Sequence, residues 1–227
     1  MNLQPLSLLV ILLIMLISGC DADKKQRVVF FGDSITQAGE EDPAGYLNVM
    51  RNQLDSAKYE IVGAGISGNK VTDLLERVQE DVIARQPDIV FIYIGINDVW
   101  HFYKFEGTTG TEIGAYETGL IDLVGMLQTD TTDVILCTPS VIGEKPAMEG
   151  EINQQLDAYA EVVRKVASES DCGICDLRTA FKEYLSENNP VDQEEGILTT
   201  DGVHMNPAGD QFLANKMLEC LQGYAAN

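Results

Sequence analysis

Basic residues are scarce in this chain. Its 227 residues include 15 lysines and arginines against 36 aspartates and glutamates, a formal net charge of −21. A surface this acidic repels phosphate backbones and anionic lipid headgroups, so nucleic acid is not an expected partner. The simplest role of the excess charge is solubility. Histidine is scarcer still: His101 and His204 are the only two, which restricts the choice of a general base.

The sequence also lacks an apolar run long enough to cross a membrane comfortably. Residues 6–17 are apolar apart from Ser7, which is typical of a signal-peptide core, although no lysine or arginine precedes them. The run ends at Leu16-Ile17-Ser18-Gly19-Cys20, which resembles the cleavage box of bacterial lipoproteins. We therefore predict a signal peptide over 1–19, lipidation of Cys20, a tether over 20–26 and one domain over 27–227. The protein would be exported and held at the bacterial cell envelope by its lipid anchor alone; an ordinary secretory peptide with an incidental cysteine is the alternative.

Cysteines are few as well. Export permits disulfides, and the four cysteines beyond Cys20 allow three pairings, between which the sequence does not choose. Cys172 and Cys175 have the spacing of a redox motif but lead into a predicted strand rather than opening a helix. A zinc site lacks a second pair of ligands, so no metal is expected. Structural thiols or a single bridge are therefore predicted among Cys137, Cys172, Cys175 and Cys220.

Repeats, low-complexity tracts and interdomain linkers are absent, and apolar runs alternate with stretches of helical period. Continuous apolar strands separated by helices are typical of a parallel sheet covered on both faces. The predicted fold is a three-layer α/β/α sandwich around a mostly parallel five-stranded sheet. Its strands are expected near 28–31, 60–63, 89–94, 134–137 and 173–177, and its helices near 46–56, 71–85, 115–128, 152–168, 180–187 and 207–221.

A serine stands where the first strand stops. Residues 28–31 are β-branched or aromatic, as in a fully buried strand, and Gly32 is expected to let the backbone turn before Ser34. In open α/β sheets, ligands bind in the crevice at the carboxyl ends of the strands. Ser34 is therefore a candidate nucleophile, provided that other residues supply a base and hydrogen-bond donors.

Four short motifs follow strands or precede the last helix. They are Gly32-Asp33-Ser34-Ile35, Gly65-Ile66-Ser67-Gly68-Asn69, Gly95-Ile96-Asn97-Asp98 and Asp201-Gly202-Val203-His204. In this order the motifs resemble those of the GDSL or SGNH hydrolase superfamily of esterases and lipases. The resemblance covers the chain from Val28 to about Leu221 and implies the flavodoxin-like fold of that superfamily.

The chemistry assigns each residue a role. His204 is suited to take the proton of Ser34, and Asp201 can orient the imidazole and stabilise its charged form. The family resemblance implies that the backbone N–H groups of Ser34 and Gly68 and the side-chain amide of Asn97 form the oxyanion hole. Without such chemistry, Ser34 would be a helix cap, Gly68 and Asn97 turn residues, and His204 a surface histidine. These readings would have to explain all four motifs together.

Aromatic residues cluster after the third motif. Trp100, His101, Phe102 and Tyr103 are candidates for the substrate pocket, as a wall for an acyl chain or a platform for a sugar ring. A loop fixed to the core by its aromatic residues is the alternative. His101 has no suitably spaced acid partner, so it is expected to face substrate or to be structural. Asp33 and Asp98 are predicted to brace their loops rather than to catalyse.

We predict a serine esterase that hydrolyses carboxylic esters of short or medium acyl groups, including acetyl groups on carbohydrate, through a Ser-His-Asp acyl-enzyme mechanism. Lysophospholipid or lipid ester cleavage and O-acyl transfer are alternatives within the superfamily. A catalytically inactive carbohydrate-binding module is the alternative of another class. The expected partner is a small-molecule, carbohydrate or lipid ester with no cofactor, and the oligomeric state is left open.

Overall fold

The computed structural model describes residues 24–104, 109–145 and 150–225. Their core is a five-stranded sheet in the order β2-β1-β3-β4-β5, and every neighbouring pair is parallel. The sheet confirms the predicted fold class. Its strands are β1 (Gln26–Gly32), β2 (Tyr59–Gly65), β3 (Ile89–Tyr93), β4 (Asp133–Cys137) and β5 (Gly173–Cys175).

The helices form two layers, one on each face of the sheet. They are α1 (Ser34–Glu41), α2 (Tyr46–Gln53), α3 (Val71–Asp81), α4 (Ile96–Trp100), α5 (Ile113–Leu127), α6 (Glu151–Glu169), α7 (Leu177–Asn188) and α8 (Pro207–Ala225), with a 3-10 turn at Ile83–Arg85. Helices α3, α5 and α6 pack side by side, and α2 packs on α8. None of the helices in the described part of the chain is long and apolar enough to span a membrane.

Register brings the ends of three strands together. Gly32, the last residue of β1, lies between Gly65 of β2 and Tyr93 of β3. The loops that follow these strands therefore leave the same edge of the sheet and carry the first three sequence motifs. The central strands are buried on both faces, and β3 is buried along its whole length, as its unbroken apolar sequence indicates.

The predicted turn at Gly32 is wrong. Gly32 is still paired within β1, and it is absent from the residues with positive φ. A Cβ at this position would lie 2.5 Å from both the carbonyl oxygen of Tyr93 and the hydroxyl of Thr36. Close packing of β3 and α1, and not a turn, requires glycine here.

The bounds of several elements also differ from those expected from the sequence. Helices α1 and α4 were not expected as elements, and both begin inside the motifs that follow β1 and β3. The strand expected over 173–177 ends at Cys175, because Asp176 accepts the Thr179 N–H as the N-cap of α7. Gln26, the last residue of the tether expected over 20–26, is the first residue of β1. The signal peptide and Cys20 lie outside the described residues.

One disulfide joins the sheet to the last helix. Cys175 of β5 is bonded to Cys220 of α8, which settles the pairing that the sequence left open. Cys137 and Cys172 are free thiols, the first buried and the second half-buried. Burial raises the pKa of Cys172 to about 11, so this thiol is protonated at neutral pH and is a poor nucleophile.

Candidate active site

Ser34, His204 and Asp201 form one hydrogen-bonded chain. Ser34 Oγ lies 2.9 Å from His204 Nε2, and His204 Nδ1 lies 2.8 Å from Asp201 Oδ2. An ionised carboxylate can only accept, so Asp201 fixes the proton on Nδ1 and leaves Nε2 as the acceptor for the serine hydroxyl. The structure thus brings together the three residues predicted to be catalytic, although 170 positions separate Ser34 from His204.

The local backbone structure orients each of these three side chains. Ser34 is the first residue of α1, and the side chain of Asp33 accepts the Ile35 N–H, so Asp33 and not Ser34 caps the helix. In the turn before α8, Asp201 Oδ1 accepts the backbone N–H groups of Val203 and His204 at 3.0 and 2.8 Å. These bonds fold the turn so that the carboxylate and the imidazole of the same four-residue motif face each other.

Asn206 ends the turn as predicted. Its side-chain oxygen accepts the N–H groups of Ala208 and Gly209 at 2.9 and 3.0 Å, which caps α8. Gly202 adopts φ of +85°, a conformation that favours glycine. The side chains of Asp201 and Asn206 therefore fix the two ends of the turn by hydrogen bonds. Between them, Gly202 has a backbone conformation that few other residues would tolerate.

Asp201 is held in its charged form. Burial would raise its pKa, but the hydrogen bonds from the two N–H groups and from the ring of His204 outweigh burial and lower the pKa below the ordinary value of 3.8. An anion beside Nδ1 stabilises the imidazolium that forms when His204 takes a proton. The electrostatics of the chain match general-base chemistry.

The candidate oxyanion donors lie on the neighbouring loops. Asn97 is buried in α4, and one hydrogen of its side-chain amide is donated to the carbonyl oxygen of Asn69 at 3.0 Å, which orients the amide. Gly68 has φ of +80°, and a Cβ there would meet no atom within 4 Å. The backbone conformation favours glycine at this position, and the space beside it is open for a substrate.

An arginine that the sequence analysis missed ties two of the motifs together. The guanidinium of Arg77 in α3 donates to the carbonyl oxygen of Gly32 at 2.8 Å and to the side chain of Asn69 at 2.7 Å. It also stacks 4.5 Å from the ring centre of Phe31. In the sequence Arg77 is one polar position of an amphipathic helix, so no local pattern distinguishes it.

Asp33 and Asp98 are buried and brace the loops, as predicted. Asp98 accepts the Val71 N–H through both carboxylate oxygens, at 3.1 and 3.3 Å, and so ties α4 to the start of α3. Burial raises the pKa of Asp33 to about 7 and that of Asp98 to about 6. Asp98 also raises the pKa of Asp33, because two negative charges would repel each other.

Of the four pocket candidates, Trp100 lies beside His204. Its ring centre is 6.2 Å from that of His204, and it lines a cavity of about 350 Å³ that Asp201 also borders. Phe102 packs against Gly110, where a Cβ would lie 2.4 Å from its ring. Burial lowers the pKa of His101; the charge of Lys70 lowers it further, and that of Asp73 opposes the change. Tyr103 is exposed.

The family profile of the GDSL-like lipases and acylhydrolases matches residues 30–212. The chain belongs to this family. Among relatives, the acetylxylan esterase of Geobacillus stearothermophilus is 34% identical over 209 residues, which cover 85% of this chain and 92% of that enzyme. A crystal structure of an acetyl xylan esterase, AlAXEase, is 41% identical with a TM-score of 0.81 and covers 85% of this chain and 98% of that one.

A third relative is an uncharacterized lipoprotein of Bacillus subtilis (strain 168). It is 24% identical over 233 residues, which cover 91% of this chain and 93% of that protein. The chain thus matches the two acetylxylan esterases over 92% and 98% of their lengths. It is a carboxylic ester hydrolase.

Proposed function

We propose that the protein is a serine esterase that removes acetyl groups from carbohydrate through an acyl-enzyme on Ser34. The observation that carries the proposal is the continuous hydrogen-bonded chain from Ser34 through His204 to Asp201. Solved structures of the Geobacillus acetylxylan esterase include catalytic mutants in which a serine or a histidine is replaced by alanine. Those two catalytic mutants support a serine and a histidine as the reacting pair in this protein as well.

The reaction follows from this geometry. As Ser34 Oγ attacks the ester carbonyl carbon, its proton passes to His204 Nε2, and Asp201 stabilises the resulting imidazolium. The carbonyl oxygen becomes an oxyanion, for which the N–H groups of Ser34 and Gly68 and the amide of Asn97 are the proposed donors. The tetrahedral intermediate then collapses, and the sugar alkoxide leaves with the proton held by His204.

Deacylation repeats these steps with water as the nucleophile. His204 takes a proton from the water as it attacks the acetyl-serine, and the second tetrahedral intermediate expels Ser34, which recovers the proton. Acetate is released and the enzyme is restored. An alcohol in place of water would give O-acyl transfer by the same route.

The cavity beside the site favours a neutral sugar ester over an anionic lipid. Trp100 forms an aromatic wall next to His204. Lys104 Nζ lies over one face of its ring, 3.4 Å from the centre, so the opposite face is the one suited to stacking on a sugar ring. Glu194 and Glu195 line the same cavity, and Lys145 in its wall is paired with Glu194. Together with the net charge of −21, these carboxylates repel a phosphate headgroup.

We propose an exported, lipid-anchored location. The motif ending at Cys20 and the relative named as a lipoprotein support it. Mass spectrometry of the protein purified from bacterial membranes tests the anchor. An N-terminal peptide that begins at an acylated Cys20 is expected, and an unmodified Cys20 peptide would contradict lipidation.

An ester panel tests the substrate class. The purified domain is assayed with p-nitrophenyl acetate, butyrate and octanoate, with acetylated xylan, and with lysophosphatidylcholine. We expect kcat/KM to fall as the acyl chain lengthens and acetate to be released from xylan. A kcat/KM that rises with chain length, or release of fatty acid from the lysophospholipid, would indicate a lipase instead.

Active-site labelling distinguishes an esterase from a binding module. A fluorophosphonate probe should label the wild-type protein. It should also label the control variant Ser186→Ala, which removes an exposed serine of α7 away from the site. Ser34→Ala should take up no probe. Absence of labelling in folded wild-type protein would favour a catalytically inactive carbohydrate-binding protein.

A further inference from the structure

A buried glutamate outside the catalytic chain organises the segment that leads to it. Glu144, in the loop after β4, is fully buried, and its carboxylate accepts the backbone N–H groups of Ile197, Leu198 and Thr199 at 2.7, 2.6 and 2.6 Å. Three short bonds from consecutive residues fix the course of that backbone. None of the mechanistic steps above uses Glu144.

Within the part of the chain that the structure describes, the carboxylate of Glu144 is bound by backbone N–H groups and forms no salt bridge. The adjacent Lys145 pairs with Glu194 instead. The backbone N–H of Glu144 donates to the carbonyl oxygen of Glu194, and its own carbonyl oxygen accepts the side chain of Asn189. Glu144 thus holds the 189–199 segment at several points, and burial keeps it away from substrate.

The held backbone continues directly into the catalytic turn. Thr199 Oγ1 accepts the Gly202 N–H at 3.1 Å, and Thr199 pairs with Met205 in an isolated antiparallel bridge. The next residue, Thr200, donates its N–H to the carbonyl oxygen of His204 at 2.8 Å. Any displacement of residue 199 is therefore passed to both ends of the turn that carries the general base.

A second contact reaches the same turn from the loop of Glu144. Gly143, its chain neighbour, donates its backbone N–H to the carbonyl oxygen of Gly202 at 2.8 Å. The loop after β4 thus holds the turn through a side chain at residue 199 and through backbone at residue 202. Two points of attachment define the orientation of the turn as well as its position.

We propose that Glu144 is a positioning residue for catalysis: its carboxylate fixes residues 197–199 and thereby sets His204 within reach of Ser34. The proposal rests on the function proposed above. A displacement of about 1 Å between reacting groups costs on the order of 100-fold in rate, so a loosened turn is expected to reduce kcat with little change in KM.

Glu144→Gln tests the proposal, because the amide keeps the size of the side chain but presents N–H to a backbone donor. We expect kcat for p-nitrophenyl acetate to fall about 10- to 100-fold and KM to change less than about threefold. The assay is run well below the Tm of the variant. Asp88→Asn is the matched control: Asp88 also accepts a backbone N–H, from Arg27, at the opposite end of the sheet.

The pH profile separates positioning from a loss of stability alone. Thr199 and Thr200 bind residues 202 and 204 separately, so their displacement in Glu144→Gln is expected to lengthen the contact between His204 and Asp201 within the turn. The longer contact destabilises the imidazolium, and the acid limb of kcat/KM should therefore move to lower pH. A variant with a lower Tm but wild-type kcat and an unmoved acid limb would overturn the proposal. Wild-type protein and Asp88→Asn without esterase activity would instead refute the proposed function.

Thr199→Val covers the case in which Glu144→Gln does not fold. The valine keeps the shape of the threonine and removes the acceptor for the Gly202 N–H, the next bond after Glu144. The same fall in kcat and the same movement of the acid limb are expected. A Thr199→Val variant with wild-type kinetics would contradict transmission through this segment.

Discussion

The protein should become less stable as the pH rises from about 4 to 7, and Asp33 should be a main cause. The side chain is 2% exposed, and burial, with Asp98 adding to it, raises its pKa from 3.8 to about 7. The folded state therefore binds this proton more tightly than the unfolded state. The stability that Asp33 contributes is complete below pH 3.8 and is lost as the pH rises through about 7.

The magnitude follows from the gap between the two pKa values. At about 1.4 kcal/mol per pH unit, it corresponds to about 4 kcal/mol in the free energy of unfolding. Asp33→Asn removes this dependence, because the amide cannot ionise and still offers an oxygen to the Ile35 N–H. We expect the variant and the wild type to be similar at pH 4, and the variant to gain by up to about 4 kcal/mol at pH 8.

Urea unfolding followed by circular dichroism between pH 4 and pH 8 measures the difference. Asp201→Asn is a control of opposite sign, because hydrogen bonding outweighs burial and lowers the pKa of Asp201. That variant should lose stability at neutral pH, and its deficit should stay nearly constant between pH 4 and pH 8, because the folded and unfolded pKa values of Asp201 both lie below this range. A stability difference between Asp33→Asn and the wild type that does not change with pH would refute the reasoning.

Three further predictions concern the site and its support. His204→Ala should abolish hydrolysis of p-nitrophenyl acetate while His101→Ala retains part of it, and the reverse result would contradict the assignment of the base. Asn97→Ala should lower kcat about 10²- to 10³-fold, and an unchanged kcat would remove its amide from the oxyanion hole. Cys220→Ser should lower the free energy of unfolding by about 4 kcal/mol, because its bond to Cys175 closes a loop of 45 residues. Wild-type protein in reductant should match this variant in urea unfolding, and a midpoint unaffected by either change would contradict the estimate.

The strands and the motifs could be predicted because their signals are local. Buried parallel strands leave unbroken apolar runs, and residues at their carboxyl ends meet at one edge whatever the length of the helices between them. This is why Ser34, Gly68 and Asn97 could be placed at one edge from the sequence, whereas His204 precedes the last helix and was assigned to the same site by the family resemblance. Helices α1 and α4 were missed because they begin inside the motifs, where the residues are chosen for chemistry rather than for helical period.

The supporting contacts could not be predicted, because their causes lie far apart in the chain. Gly32 is required by the carbonyl oxygen of Tyr93, 61 positions away, and not by its own backbone angles. No sequence pattern distinguishes Arg77 or Glu144 from other charged residues, because only the fold places them against backbone groups of the loops at the site. The pairing of Cys175 with Cys220 depends on how α8 packs on β5.

The direction of β1 places the start of the described chain and the candidate active site at opposite ends of the sheet. The strand starts two residues after Lys24, where the described chain begins, and ends beside Ser34, so it separates the two ends of the molecule by about 20 Å. With Cys20 in the bilayer, as proposed, only three residues lie between the lipid and Lys24. The catalytic mouth would then open away from the membrane that holds the anchor, toward esters on polymers in the adjoining compartment, and its back would be turned to esters embedded in that membrane.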